Sequence, residues 1–299
     1  MSMPRAEAPL NVALGRTKRT EALFDGSLAD PALPLDLPAI PVISRAFAPM
    51  VREGRYEVSE MAIATFLMAK EAGTPLVLLP CVLAARFQES ALLCRSDGPI
   101  TGPADLRGQR IGVRAYSQTT GMWLRGILQD RFGLAADAMR WITFEDAHVP
   151  TYRDPPWSAR APEGATLEAM LEAGEIDAAI FGNDMPRNPA FRPVFADAEA
   201  AGAAFQAAHG FVPVNHLLVA RADVARDRAS SLAALLGLLA KSGAAVSDRT
   251  ALGPALTLAA RHCAAQGLTA RALTRDEIWD GTPPGLGGPR GHPGQEQKG

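Results

Sequence analysis

Lysine is nearly missing from this chain: of its 30 basic residues only four are lysine, at Lys18, Lys70, Lys241 and Lys298. Chemistry that runs through a lysine amine, such as a Schiff base, therefore has few candidates. Nothing around Lys18 in the sequence argues for the lowered pKa that such an amine needs. Cysteine is equally scarce. Cys81, Cys94 and Cys263 are odd in number, far apart and without metal-ligand spacing. They suggest neither a disulfide framework nor a zinc site, and read as buried thiols of a reducing compartment. Long apolar runs are absent too: no stretch approaches the roughly 20 residues needed to span a bilayer. The segment Met1–Leu10 lacks the apolar core of a secretory signal. The expectation is a soluble, cytoplasmic chain with no membrane partner. A net charge of −2 speaks against a nucleic-acid partner.

What is present is ample apolar material, 47% of 299 residues, enough for one large domain or two of ordinary size. The most informative feature is a near-repeat. Met50-Val-Arg-Glu-Gly54-Arg-Tyr-Glu57-Val58 and Met170-Leu-Glu-Ala-Gly174-Glu-Ile-Asp177-Ala178 place methionine, glycine and an acidic residue at the same internal spacing. In each copy a helical turn ends, glycine supplies the positive φ of a helix C-terminus, and an apolar strand follows. Two equivalent units predict two similar α/β lobes with a ligand cleft between them.

Along the chain, Asn11–Leu14 reads as a strand and is followed by the basic loop Gly15–Thr20. Glu60–Ala72 is helical in pattern, Pro75–Leu79 is a buried strand, and Ala91–Arg95 reads as the strand leaving the first lobe. Arg110–Tyr116 alternates like a strand, and Thr119–Phe132 reads as a helix stopped by Gly133. Glu145–Pro162 reads as an irregular loop, and Asn215–Ala220 as a strand returning to the first lobe. Strands alternating with helices make the fold α/β, with mostly parallel sheets the simplest arrangement. The expected division is 1–95 for the first part of lobe I, 96–205 for lobe II, 206–281 for the return to lobe I, and 282–299 for a disordered tail.

These segments, in this order, resemble the 4,5-dihydroxyphthalate decarboxylase family, whose members look like type 2 periplasmic binding proteins. The match runs from Gly54-Arg-Tyr-Glu-Val-Ser-Glu-Met61 to Gln266-Gly-Leu268. Its strongest block is Asp105–Leu128, supported by Phe211-Val-Pro-Val-Asn-His216 and Leu273-Thr-Arg-Asp-Glu-Ile278. The resemblance implies two lobes joined by two crossings, with ligand bound between them. It also implies a decarboxylase that needs no cofactor and no metal, and whose ligand is a small aromatic or dicarboxylic acid. Formation of homo-oligomers is left open. The departures matter as well. Where the family carries Ser-Arg-x-Phe-Arg-His-Ser, this chain has Ala84-Ala85-Arg86-Phe87-Gln88-Glu89-Ser90, without the arginine and histidine at those positions. Its first loop is basic where the family often has acidic and aromatic residues.

Candidate site residues follow from both lines of reasoning. Tyr116, Ser117, Gln118, Thr119 and Thr120 join a strand to a helix N-terminus, where free N–H groups and hydroxyls suit a carboxylate. The plain alternative is an ordinary N-cap. Trp123 could stack on an aromatic ligand or simply fill the core. Arg16, Lys18 and Arg19 suit an anion, or are only a solvated loop. Ser59 and Glu60 enter the expected helix of the other lobe, and the resemblance is close there. His216 matches a histidine that looks typical of the family, and Arg86 lies in the altered segment. The reading is a decarboxylase of a hydroxylated aromatic carboxylate. In it Glu60 takes a hydroxyl proton, His216 protonates carbon, and the anion loop with Arg16 holds a remaining carboxylate. The competing reading is a solute-binding or sensor protein that closes on a small carboxylate without changing it.

Overall fold

The computed structural model describes residues 8–182 and 185–286. The strands β1 (Leu10–Ala13), β2 (Leu35–Asp36), β3 (Val58–Ala62) and β4 (Leu76–Ala85) begin a first sheet. A second sheet takes β5 (Leu92–Arg95), β6 (Arg110–Val113), β7 (Arg140–Thr143), β8 (Ser158–Arg160), β9 (Ala178–Ile180) and β10 (Phe191–Pro193). The chain then returns to the first sheet with β11 (Val214–Arg221) and β12 (Ala245–Val246). The strand orders are β12-β4-β11-β3-β1-β2 and β10-β5-β9-β6-β7-β8. Each sheet has a parallel part, β2-β1-β3 in one and β9-β6-β7-β8 in the other. Each is joined by one long-range antiparallel strand: β11 lies between β3 and β4, and β5 between β9 and β10. The two-lobed α/β architecture expected from the repeat is present, with mixed sheets in place of mostly parallel ones.

The repeat has a structural cause. Gly54 and Gly174 take φ of 59° and 71° after their helices, Phe47–Glu53 and Leu167–Glu172. The acidic residue three positions later then does the same job in both lobes. Glu57 accepts the backbone N–H of Asn11 (2.8 Å) at the start of β1, and Asp177 accepts that of Arg110 (2.8 Å) at the start of β6. In return, the Glu57 and Asp177 N–H groups donate to the carbonyls of Asn11 and Arg110. Each carboxylate thus pins the parallel neighbour on which the next strand, β3 or β9, will pair.

Several elements differ from the sequence reading. The run after Glu57 stays extended as far as Ala62, and the helix occupies Ile63–Glu71, because β3 is paired on both sides, with β1 and β11. The strand Leu92–Arg95 already pairs within the second sheet. The loop after Glu145 contains β8, which adds to the edge of β7. Part of the expected disordered tail is packed: Thr282 Oγ1 donates to the Leu78 carbonyl (2.8 Å) and Leu286 is buried. Residues 287–299 lie outside the described residues.

Two crossings connect the lobes, residues 86–91 and 210–213. They are tied to each other by the Arg86 N–H on the Pro213 carbonyl (3.1 Å) and by the buried amides of Gln88 and Asn215 (2.8 Å). The helix Thr119–Phe132, with the bounds expected from sequence, is buried along its first ten residues. It packs on the helices Ile63–Glu71 and Arg249–Ala265, so its N-terminus is held where the lobes meet.

Candidate functional site

A cavity of about 1350 Å³ opens between the lobes and is lined from both. From the first lobe, β3 presents Glu60 and β11 presents His216. Their side chains join through a 2.6 Å hydrogen bond from His216 Nδ1–H to Glu60 Oε1. The other carboxylate oxygen accepts the Gly15 N–H (2.9 Å). Glu60 is 5% exposed, a carboxylate in the middle of a sheet, and these two donors replace the water it has lost. Glycine at residue 15 leaves that contact uncrowded. A Cβ there would stand 3.1 Å from Glu60 Oε2 and 3.4 Å from Ile43. Because a strand alternates its faces, Glu60 and Ala62 line the cavity whereas Ser59 points the other way. Ser59 is fully buried and spends its hydroxyl on the Glu60 carbonyl. It is not part of the cavity wall, contrary to expectation.

From the second lobe, Ser117, Gln118, Thr119 and Thr120 line the cavity as the sequence suggests. Neither hydroxyl makes the plain N-cap: the capping position is Gln118, without a side-chain cap. Thr119 Oγ1 instead accepts the Ala64 N–H across the lobe boundary (3.2 Å), and Thr120 Oγ1 accepts from Arg86 (3.2 Å). Tyr116 and Trp123 belong to the core. Tyr116 donates its hydroxyl to the Gln266 carbonyl and accepts from Trp157 Nε1, while Trp123 Nε1 donates to the Val214 carbonyl. Both are fully buried, because their polar atoms find backbone or indole partners inside.

The basic residues divide sharply. Arg16, Lys18 and Arg19 are exposed at the cavity mouth, and Arg16 is clamped by Glu21 through two hydrogen bonds (2.9 and 2.7 Å). Arg86, half-buried at the end of β4, reaches Thr120 and the Gly182 carbonyl (3.1 Å) and has no ion-pair partner among the described residues. Burial lowers its pKa, with no carboxylate to compensate. It is a cation on the cavity wall with nothing to neutralise it, a setting that favours an anionic ligand. Arg114, also on the wall, is paired with Glu145 (2.5 Å).

A second histidine reaches the same cavity. His148, in the loop after β7, places Nδ1 3.0 Å from Thr65 Oγ1 and packs edge-on against Phe47, whose ring also meets His216 edge-on. Burial, reinforced by Arg114 and Arg52, pulls the His148 pKa down to about 4. Among the described residues no group of three or more histidine, cysteine, aspartate or glutamate side chains is placed to hold a metal ion.

No family model matches the chain. It is 28% identical over 293 residues to 4,5-dihydroxyphthalate decarboxylase of Comamonas testosteroni, covering 90% of this chain and 85% of that one. It is 31% identical over 183 residues to the Pseudomonas putida protein of the same name, covering 57% of this chain and 69% of that one. The chain belongs to the 4,5-dihydroxyphthalate decarboxylase family. Among solved structures it is similar to the periplasmic aliphatic sulphonate binding protein SsuA of Escherichia coli. The TM-score is 0.55 at 15% identity, covering 94% of this chain and 80% of that one. The alkanesulfonate-binding SsuA of Xanthomonas axonopodis pv. citri, bound to MOPS, scores 0.55 at 15% identity and is covered to 86%. At that identity the likeness speaks for the fold alone, a two-lobed solute-receptor scaffold.

For this decarboxylase family member the altered segment after β4 now has a physical reading. Gln88 and Glu89, where the family pattern has arginine and histidine, are buried in the first crossing: Gln88 bonds Asn215, and Glu89 accepts the Gln88 N–H. Of that stretch, Ala84, Ala85 and Arg86 line the cavity. Sequence reasoning missed Asn215, Arg114 and Phe47 as cavity residues. Strand alternation would have turned Asn215 away; it joins His216 on the cavity wall where the register of β11 against β4 breaks.

Proposed function

We propose that this chain is a decarboxylase of a hydroxylated aromatic carboxylate with a second acidic group, 4,5-dihydroxyphthalate or a near relative. The observation that carries the proposal is the Glu60–His216 pair at the cavity wall. Carbon dioxide leaves an aromatic ring most easily once the ring carbon bearing the carboxylate has been protonated. His216 suits that step. Its Nδ1–H is committed to Glu60, which fixes the ring and leaves Nε2 for a ligand. Glu60 acts through His216. Both its oxygens are engaged within the protein, so it orients the ring instead of touching the substrate.

The carboxylate that remains on the product is assigned to Arg86, Thr120 and the N-terminal turn of the helix Thr119–Phe132, in place of Arg16, which Glu21 already neutralises. Loss of a charged group is favoured in a water-poor cleft, which two lobes closing on a ligand provide. The scheme uses no cofactor. A cytoplasmic location is part of the proposal, supported by three buried and unpaired thiols; no helix among the described residues is long and apolar enough to cross a membrane.

The test is incubation of the purified protein with 4,5-dihydroxyphthalate, following substrate and protocatechuate by chromatography with and without a chelator. Formation of protocatechuate that survives the chelator supports the proposal. Tight binding without turnover would replace it with the binding-protein reading.

A further inference from the structure

The scheme leaves one proton unassigned. Decarboxylation by ring protonation needs electron density pushed toward the carbon that bears the carboxylate, and a para hydroxyl supplies it best when ionised. Glu60, the group expected to take that proton, is almost fully buried and has both oxygens bonded. Another acceptor must serve.

We propose that His148 is the general base that takes the hydroxyl proton of the substrate, from the lobe opposite the Glu60–His216 pair. The inference rests on the decarboxylase reading and extends it to a residue on the irregular loop. Three observations carry it. His148 lines the cavity that His216 lines, and both rings touch Phe47, so one small aromatic ligand can meet both. Its Nδ1 is held by Thr65, a hydroxyl on the helix of the other lobe. With Nδ1–H donating to Thr65 Oγ1, the Nε2 lone pair is left for the ligand. Finally, the loop is fastened in place, since Arg52 donates to the carbonyls of Ala147 (2.9 Å) and His148 (3.0 Å).

The electrostatic setting agrees. Arg52 and Arg114 face His148; with burial they keep the imidazole neutral at rest, which also weakens it as a base, and the same two cations favour the phenolate that forms beside them. His216, by contrast, gives its Nδ1–H to the Glu60 carboxylate. The two histidines of the cavity thus face opposite charges, cations at His148 and a carboxylate at His216.

The step balances as follows. The para hydroxyl gives its proton to His148 Nε2. The phenolate pair moves through the ring, the ring carbon bearing the carboxylate forms a C–H bond with the proton of the His216 imidazolium, and that carbon becomes tetrahedral. The carbon–carboxylate bond then breaks, its electron pair restores the aromatic ring, and carbon dioxide leaves. The phenolate recovers its proton from His148, and His216 is reprotonated from solvent.

The test compares wild type, His148→Gln and Thr65→Val in turnover of 4,5-dihydroxyphthalate. It also compares the absorption spectrum of this ligand bound to His216→Asn with its spectrum bound to the His216→Asn/His148→Gln double variant. Ionised catechols absorb at longer wavelength, so the spectrum reads the hydroxyl proton directly, which a merely structural role for His148 would not move. The expected result is a kcat loss of roughly 100-fold or more in His148→Gln, a smaller loss in Thr65→Val, and a catecholate band in His216→Asn that vanishes in the double variant. A band that persists in the double variant, or a His148→Gln kcat within about threefold of wild type, overturns the inference while leaving the decarboxylase reading intact. If wild type does not turn the substrate over, the decarboxylase reading fails by itself. A catecholate band in wild type that His148→Gln abolishes would still uphold the base, and its absence would overturn it.

Discussion

Glu60 occupies a position in β3 where a central strand ordinarily carries an apolar side chain, and its surroundings explain why a carboxylate is stable there. The Gly15 amide and the His216 imidazole each satisfy one oxygen, and a side chain at residue 15 would crowd the first of these bonds. The charge has one outward effect, on His216. A glutamine at residue 60 keeps an acceptor for Gly15 but removes the charge that supports an imidazolium. The expected outcome for Glu60→Gln is a kcat lowered by about 100-fold with KM changed only a few-fold, measured by steady-state kinetics on protein shown by thermal denaturation to be folded. Arg86 makes the opposite case. It is a cation on the wall without a counter-ion, so its contribution is to holding the ligand. For Arg86→Met, KM should rise roughly 10- to 100-fold while kcat falls much less. A kcat-dominated loss in Arg86→Met would move Arg86 from binding to chemistry.

At the level of elements, the helix Thr119–Phe132 couples the site to the rest of the fold through tight packing. At Gly126 a Cβ would stand 2.4 Å from the His262 ring on the helix Arg249–Ala265, so that imidazole lies in a slot without room for water. Asp130 (3.7 Å), Arg261, His209 and the Trp123 ring face it. Burial dominates and lowers the His262 pKa, as it does for His148, which falls to about 4. A folded-state pKa below the unfolded value means that the unfolded chain binds protons first as pH falls. Stability contributed by the neutral rings is therefore complete above about pH 6.5 and is lost progressively down to about 4, with each ring worth about 3 kcal/mol at most. Melting temperature measured at constant ionic strength should be level above that window and decline through it. A flat profile would mean that the rings are hydrated in solution.

The same helix shows what a sequence reader can and cannot reach. Its bounds were legible because Gly133 marks its end and a polar strand-to-helix turn marks its start. The two Met-Gly-acid copies likewise disclosed both lobes. The stretch Glu60–Ala72 reads as helix throughout, whereas the strand runs to Ala62 because it pairs with β11. That choice also fixes which of Ser59 and Glu60 faces the cavity. Tyr116 and Trp123 were beyond reach for another reason: the partners that bury their polar atoms lie 150 and 91 positions away.

On the scale of the whole molecule, the lobes meet where the helix Thr119–Phe132 packs on Ile63–Glu71 and Arg249–Ala265, and at two further contacts. One is the pair of crossings, tied by Gln88, Asn215 and the Arg86–Pro213 backbone bond, and these are the natural pivot. The other is a clasp away from the pivot, where the loop around His148 sits on the helices Phe47–Glu53 and Ile63–Glu71 through Arg52, Thr65 and Phe47. The clasp adds to that helix packing on the side of the cavity where the second-lobe wall comes up to the Glu60–His216 pair. Arg52 is the exposed member of the clasp, so its removal weakens closure without disturbing the core. Two hydrogen bonds worth about 1 kcal/mol each correspond to a ligand affinity lower by roughly 5- to 30-fold. Arg52→Ala should therefore bind 4,5-dihydroxyphthalate more weakly by calorimetry, with a larger radius of gyration in solution scattering and a melting temperature close to wild type. Unchanged affinity and radius would show that the helix packing and the contacts at Thr65 and Phe47 hold the lobes closed without Arg52.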